Sequence, residues 1–131
     1  MKFAKENYII LCDDVRQEVG NKISLMGIYG KDIIIPDIPY ILPRLCIFLR
    51  AREVKIEIQD LKVVVKLPQS DPITMEIPAP PNQKIPHDMQ IGMTIAPLNI
   101  NGEGEAKIDI FQKDEPKKPL ISHHFNLVKA K

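Results

Sequence analysis

Apolar and polar residues alternate with a period of two along most of this chain. Met89, Ile91, Met93 and Ile95 fall on one phase, and polar or small residues stand between them. Such a period places successive side chains on opposite faces of a β-strand, so that one face is buried. No segment shows a sustained period of 3.6 residues, so the pattern predicts a chain of strands.

The alternating segments predict eight or nine short strands separated by turns. Strands at this spacing are typical of an antiparallel β-sandwich, with a partly closed β-barrel as the alternative. We expect one domain spanning residues 1–131. The predicted strands are 7–15, 23–29, 33–35, 44–52, 61–67, 73–77, 89–100, 105–112 and 120–128, and the status of 54–58 is left open.

Three local features refine this prediction. The first strand is apolar on both faces, which predicts a central position or a covering neighbour. The apolar phase slips between residues 54–58 and 61–67, so a turn or bulge must lie on each side. Asn101 to Gly104 forms a glycine-assisted turn that predicts a hairpin of 89–100 with 105–112. Prolines are concentrated in 36–43, which we interpret as an extended crossing loop, and in 68–86, which we interpret as an ordered loop that holds the short strand 73–77.

Composition and charge narrow the classes of partner. The chain has 131 residues with 18 Lys and Arg against 17 Asp and Glu, a net charge of +1. This balance gives no global attraction to a nucleic-acid backbone or an anionic membrane, so neither is an expected partner. The first apolar run is too short for a signal peptide, and no stretch approaches the roughly 20 apolar residues of a membrane span. We therefore expect a cytoplasmic protein.

The chain has two cysteines, Cys12 and Cys46, each inside an apolar strand. In a reducing compartment such residues are usually small buried hydrophobic side chains. A disulfide between them remains open if their strands are neighbours.

The opening of the chain resembles that of a bacterial family of small all-β proteins of unknown function. The resemblance is carried by CDDVRQE at residues 12–18 and NKISLMGIY at 21–29, and it covers about the first quarter of the chain. The ending FNLV at 125–128 is compatible with it. The resemblance implies an immunoglobulin-like or related sandwich in a bacterial cell, and it carries over no catalytic or binding residue.

A charged cluster at the end of the first strand is the first candidate site. It contains Asp13, Asp14, Arg16 and Glu18. Carboxylates held by an arginine could serve acid–base chemistry or bind a cation. We favour the simpler interpretation of an exposed strand end with ion pairs, because acid–base pairs need a cleft and a perturbed pKa.

Two further candidates involve histidine and arginine. His87 and His124 are weak metal-ligand candidates, since no zinc spacing is present. His123, next to His124, shares the phase of Phe125 and is expected at the edge of the core. Arg50 and Arg52 share a face with Phe48, as in sheets that bind nucleic acid, but we favour a solvated sheet face.

A few apolar residues fall outside the main core phase: Val64, Phe111, Leu120 and Val128. Clustered together, they would mark a partner site. No catalytic or cofactor motif is present, so we expect no cofactor and lean against an enzyme. The first hypothesis is a non-enzymatic binding protein that self-associates or joins a larger bacterial assembly. The alternative is a domain that binds a small ligand or metal, with weak hydrolase activity.

Overall fold

The fold is described from a computed structural model, in which residues 3–131 are described. Residues 3–131 are all-β, with no helix and 62% strand. The strands are β1 (Ala4–Glu18), β2 (Lys22–Ile28), β3 (Asp32–Ile35), β4 (Tyr40–Leu42), β5 (Leu45–Val54), β6 (Leu61–Lys66), β7 (Ile73–Ile77), β8 (His87–Ile95), β9 (Leu98–Ile100), β10 (Gly104–Gln112) and β11 (Ile121–Lys129).

Two larger sheets form a sandwich-like arrangement. Sheet A has the order β2-β1-β5-β8, and sheet B has the order β3-β11-β10-β6-β7. A small third sheet pairs β4 with β9. The predicted sandwich is therefore confirmed. The alternative of a partly closed barrel is wrong, because no sheet formed by residues 3–131 closes on itself.

One hydrophobic core lies between the two larger sheets, and we call it the main core. Its side chains come from the phases that the alternation predicted, such as Met89 and Met93 of β8 and Ile108 and Ile110 of β10. Phe125 of β11 is fully buried there. Burying one face of each strand accounts for the period of two in the sequence.

The expected strand list needs three corrections. Eleven strands form within the described residues, not eight or nine, because short strands arise at 40–42 and 98–100. The predicted hairpin of 89–100 with 105–112 is wrong: β8 pairs with β5, whereas β10 pairs with β6 and β11. Pro97 lacks a backbone donor and separates β8 from β9, so the segment cannot continue as one strand. Finally, the sheets are not wholly antiparallel, since β3 runs parallel to β11.

Other local predictions are confirmed. β1 is central, lying between β2 and β5. Near the end of β5, where the apolar phase changes, the register shifts between Ala51 and Val54, and Glu53 has a φ of 50°. Residues 55–60 form no strand.

Candidate functional site

After Cys12, β1 no longer pairs with β5, and its C-terminal half, still paired with β2, folds over the outer face of β5 and β8. Cys12 still pairs with Cys46 of β5, but the carbonyl oxygen of Asp13 lies 3.4 Å from the Cys46 Sγ on that outer face. The Val15 side chain packs against Gly92 of β8: a Cβ atom built on Gly92 would lie 3.3 Å from Val15 Cγ1. In a flat sheet β1 would be separated from β8 by β5, so this contact requires the strand to cross above the sheet.

The hairpin of β1 and β2 therefore forms a cover, which we call the hairpin arm (residues 13–28). Its turn at 19–21 uses positive φ at Gly20 and Asn21, as a tight hairpin turn requires. A cavity of about 650 Å³ separates its end from the start of β8 and is lined in part by Glu18, Lys22 and Asp88.

A second, smaller core lies beneath the arm, and we call it the outer core. Cys12, Cys46 and Phe48 are 0%, 1% and 5% exposed, yet they lie outside the main core. Their side chains point to the outer face, since they alternate with the inward-facing Leu11, Ile47 and Leu49. Both cysteines are free thiols.

The base of the arm is held by Asp13 and Gly27. The Tyr29 hydroxyl donates a hydrogen bond of 2.6 Å to Asp13 Oδ1. Burial, together with this bond to Asp13, raises the pKa of Tyr29 to about 12. Gly27 has a φ of +66°, and an added Cβ there would overlap the Asp13 carboxyl group, lying 2.8 Å from its Cγ. A residue other than glycine would displace Asp13.

Asp14 faces a different set of partners. Its carboxylate accepts a hydrogen bond of 2.9 Å from Arg16 Nε, and Arg44 Nη1 lies 3.8 Å away. The hydrogen bond from Arg16 lowers the pKa of Asp14 below its usual range. The predicted cluster is thus divided, because Asp13 binds Tyr29, Asp14 binds the arginines, and Glu18 lies at the far end of the arm.

The arginines predicted on β5 lie on the same outer face of sheet A. Arg52 forms an exposed ion pair with Glu6. Arg50 stands opposite Tyr8 and Gln90, and its Nε is buried without a hydrogen-bond partner among the described residues. Phe48 is only 5% exposed, so its ring offers no open stacking surface beside them.

The histidines are not brought together. His87 lies on β8 of sheet A, and His124 lies on β11 of sheet B, where it contacts Glu105 at 2.8 Å. His123 is half-buried, and burial lowers its pKa, as expected for the edge of the core. Within residues 3–131, no group of three or more His, Cys, Asp or Glu side chains is arranged to hold a metal ion.

The apolar residues outside the main core phase are only partly gathered. Val64, Phe111 and Leu120 are half-buried on or beside sheet B. Val128 is exposed and stands opposite the exposed Ile34 of β3. More exposed apolar surface lies on the hairpin arm, at Met26, Ile28 and Val19, the last being 95% exposed.

The free edges of the sheets differ in whether a proline adjoins the edge strand. Proline stands directly beside β3, β4, β7, β8 and β9, as Pro36, Pro39, Pro72, Pro86 and Pro97, respectively. No proline adjoins β2, which is seven residues long and forms the other edge of sheet A. Proline beside an edge strand limits pairing with another chain, so β2 is the least protected edge.

The hydrogen-bond phase of β2 shows which backbone groups are free at this edge. Tyr29 N–H donates to the Leu11 carbonyl at 2.8 Å, and the pairing of β1 with β2 stays in one register down to Lys22. Alternate residues of an antiparallel strand bond to the same neighbour. The N–H and C=O groups of Ser24 and Met26 therefore point away from β1.

The part of the chain that the structure describes, residues 3–131, contains no helix that could span a membrane.

Comparison with known sequences agrees with the family suggested by the opening residues. A search of curated proteins finds no match. The sequence model of a family of unknown function (DUF6941) matches residues 7–121, which is most of the all-β fold described above. The chain therefore belongs to the DUF6941 family, a family of unknown function.

Proposed function

We propose that this protein is a non-enzymatic interaction domain that self-associates through the free edge of β2. The observation that carries the proposal is the difference between edges: β2 lacks the flanking proline that adjoins each of the other edge strands among the described residues. An open edge binds an extended segment through its unpaired backbone groups, and exposed side chains add specificity.

The occupant that the residues favour is a second copy of the same strand. Pairing of β2 with itself about a twofold axis is isologous, so both copies use the same residues. β2 carries one charged residue, Lys22, at its start. Antiparallel pairing places the two lysines at opposite ends of the joint segment, whereas parallel pairing would set like charges side by side. The exposed side chains of Met26 and Ile28 would be covered by the second copy.

An edge-pairing domain is compatible with four predictions made from the sequence. These are a cytoplasmic location, a bacterial origin, an immunoglobulin-like strand order and membership of a larger assembly. Each stays a prediction from the sequence. The alternative of a ligand-binding or hydrolytic domain has no specific observation in its favour, because Asp13, Asp14 and Arg16 bind neighbouring side chains.

The test is a matched pair of substitutions at Ser24. Ser24→Pro removes the outward N–H of the edge, whereas Ser24→Ala keeps that donor and removes only the hydroxyl. We expect dimers of the wild-type protein and of Ser24→Ala in analytical ultracentrifugation, and monomers of Ser24→Pro. Circular dichroism checks that Ser24→Pro keeps its strand content.

Three outcomes would contradict the proposal. A wild-type protein that stays monomeric at the highest soluble concentration excludes self-association. A dimer that survives in folded Ser24→Pro places the interface elsewhere. Binding of only a different protein at β2, lost in Ser24→Pro, would keep the edge but replace the second copy as its occupant.

A further inference from the structure

The outer core contains two buried free thiols, which lie next to each other on neighbouring strands. Cys12 and Cys46 are direct partners across the antiparallel pair of β1 and β5, so their side chains share one face. Antiparallel partners have Cα atoms about 4.5–5.5 Å apart, and a disulfide spans about 4.4–6.8 Å. The Cα separation typical of such partners therefore lies within the range that a disulfide can span.

In the reduced state both thiols contact the base of the hairpin arm. Cys46 Sγ donates to the Asp13 carbonyl and Cys12 Sγ donates to the Asp14 carbonyl, each at 3.4 Å. Cys46 Sγ also lies 3.4 Å from Thr94 Oγ1 of β8. A thiol is a weak donor, but these contacts lie where β1 turns away from sheet A. The thiols thus link the start of the arm to the sheet beneath it.

We infer that Cys12 and Cys46 form a reversible disulfide that loosens the hairpin arm, with a low-molecular-weight disulfide such as oxidised glutathione as the oxidant. One protein thiolate attacks a sulfur of oxidised glutathione, forming a mixed disulfide and releasing one glutathione thiolate. The second protein thiolate then attacks the protein sulfur of the mixed disulfide and releases the second glutathione. Two protein thiols lose two protons and two electrons, and one oxidised glutathione becomes two reduced molecules.

The arm controls access to this reaction. Both sulfurs are buried beneath it, and burial raises the pKa of the Cys12 thiol, which keeps it protonated at neutral pH. Since the thiolate is the nucleophile, reaction requires the arm to open and admit water and the oxidant. The rate of oxidation therefore reports how often residues 13–28 lift from sheet A.

The disulfide changes the contacts that hold the arm. It has no S–H group, so the carbonyl oxygens of Asp13 and Asp14 each lose a donor. The arm carries β2, so its looser attachment alters the edge on which the proposed function rests. We expect oxidation to weaken association through β2, because that edge is then held in place less firmly.

The first experiment follows oxidation of the native full-length chain by mass spectrometry. Incubation with oxidised glutathione should remove two hydrogens from the intact protein, without a stable glutathione adduct, and reduction should restore the original mass. Val15→Ala, which trims the side chain over Gly92, should oxidise roughly fivefold faster. Val19→Ala is the matched control: it makes the same change at an exposed position of the same arm, and its rate should equal that of the wild type.

The second experiment measures hydrogen exchange of the arm in both redox states. Amides of residues 13–28 should exchange about threefold faster in the oxidised protein, as expected for the loss of weak hydrogen bonds. Cys46→Ser cannot form the disulfide, so its exchange should not respond to oxidised glutathione. Its serine hydroxyl retains a donor near the Asp13 carbonyl, which favours a folded arm.

Any of four results would overturn this inference. Three of them are that the thiols oxidise only after denaturation, keep a glutathione adduct, or cross-link two chains. The fourth is that amide exchange in the arm is the same in the disulfide form as in the reduced form. Failure of the proposed function gives a different result. A reduced protein that never dimerises refutes association through β2, whereas the mass and exchange changes still support the disulfide.

Discussion

The main core and the outer core bury apolar side chains by different means. The main core lies between two sheets. Apolar and polar residues alternate along their strands, and each strand contributes its inward-facing apolar residues to this core. The outer core is covered from one side by a two-stranded arm, which contacts sheet A at Val15 and at the carbonyl groups of Asp13 and Asp14. A two-stranded hairpin has marginal stability alone, so it depends on the surface it covers. We therefore expect the arm to open more readily than the sandwich unfolds.

The largest expected effect compares one phenylalanine from each core. Phe125→Ala removes a fully buried ring from the main core and should lower the free energy of unfolding by about 3–5 kcal/mol. Phe48→Ala should cost roughly half as much, because the arm can settle into the vacated space. Urea denaturation measures both losses. Equal losses would show that the arm is as rigid as the sheets, contrary to the comparison.

A smaller effect is expected at the two glycines of the arm that have positive φ. Gly27→Ala combines an unfavourable φ with overlap against Asp13 and should cost about 2–3 kcal/mol. Gly20→Ala has a φ of +88° but open space around it, so its cost should be about 1 kcal/mol. Denaturation of both variants gives the difference, and hydrogen exchange should locate the added loss in residues 13–28. Equal costs would mean that Asp13 moves aside freely.

These two comparisons also mark where the sequence was informative. The main core was predictable, because the phases of β8, β10 and β11 follow directly from alternation of apolar residues. The predicted hairpin of 89–100 with 105–112 is wrong, because Pro97 interrupts the alternating segment before it reaches the turn at Asn101–Gly104. Alternation specifies which face is buried, but it does not specify which strand is the neighbour.

The hairpin arm could not be predicted, because its bend at Asp13 has no proline or glycine to mark it. The bend depends on contacts with residues far away in the chain, such as Val15 with Gly92. A glycine within a strand pattern does signal close approach of another segment, so Gly92 and Gly27 were the available clues. The sequence pattern predicts a cluster of Asp13, Asp14 and Arg16. It does not indicate that Tyr29 contacts Asp13 or that Arg44 lies near Asp14, because these two residues come from other segments.

An effect of about 1 kcal/mol is expected from Tyr29→Phe, which removes the hydrogen bond to Asp13. The raised pKa of Tyr29 also predicts a pH dependence. The folded chain holds this proton more tightly than the unfolded chain does, so the contribution is full below the ordinary value of 10.0 and is lost as the pH rises towards about 12. Urea denaturation across this range should show a steeper loss in the wild type than in Tyr29→Phe. Identical slopes would show that Tyr29 titrates as it does in the unfolded chain.

The smallest effect is expected at the exposed pair of Asp14 and Arg16, and it tests whether charge contributes to holding the arm. Because the Arg16 hydrogen bond lowers the pKa of Asp14, the ionised carboxylate stabilises the folded chain above the ordinary value of 3.8, and this contribution is lost as the pH falls through the lowered pKa. Arg16→Gln should raise the pKa of Asp14, as measured by NMR titration of its carboxyl carbon, whereas Arg52→Gln should leave that pKa unchanged, since Arg52 pairs with Glu6. Salt should reduce the difference, because both partners are solvent-accessible. If Arg16→Gln leaves the titration of Asp14 unchanged, the pair does not persist in solution, and the arm is held by Asp13, Tyr29 and the outer core without help from Asp14.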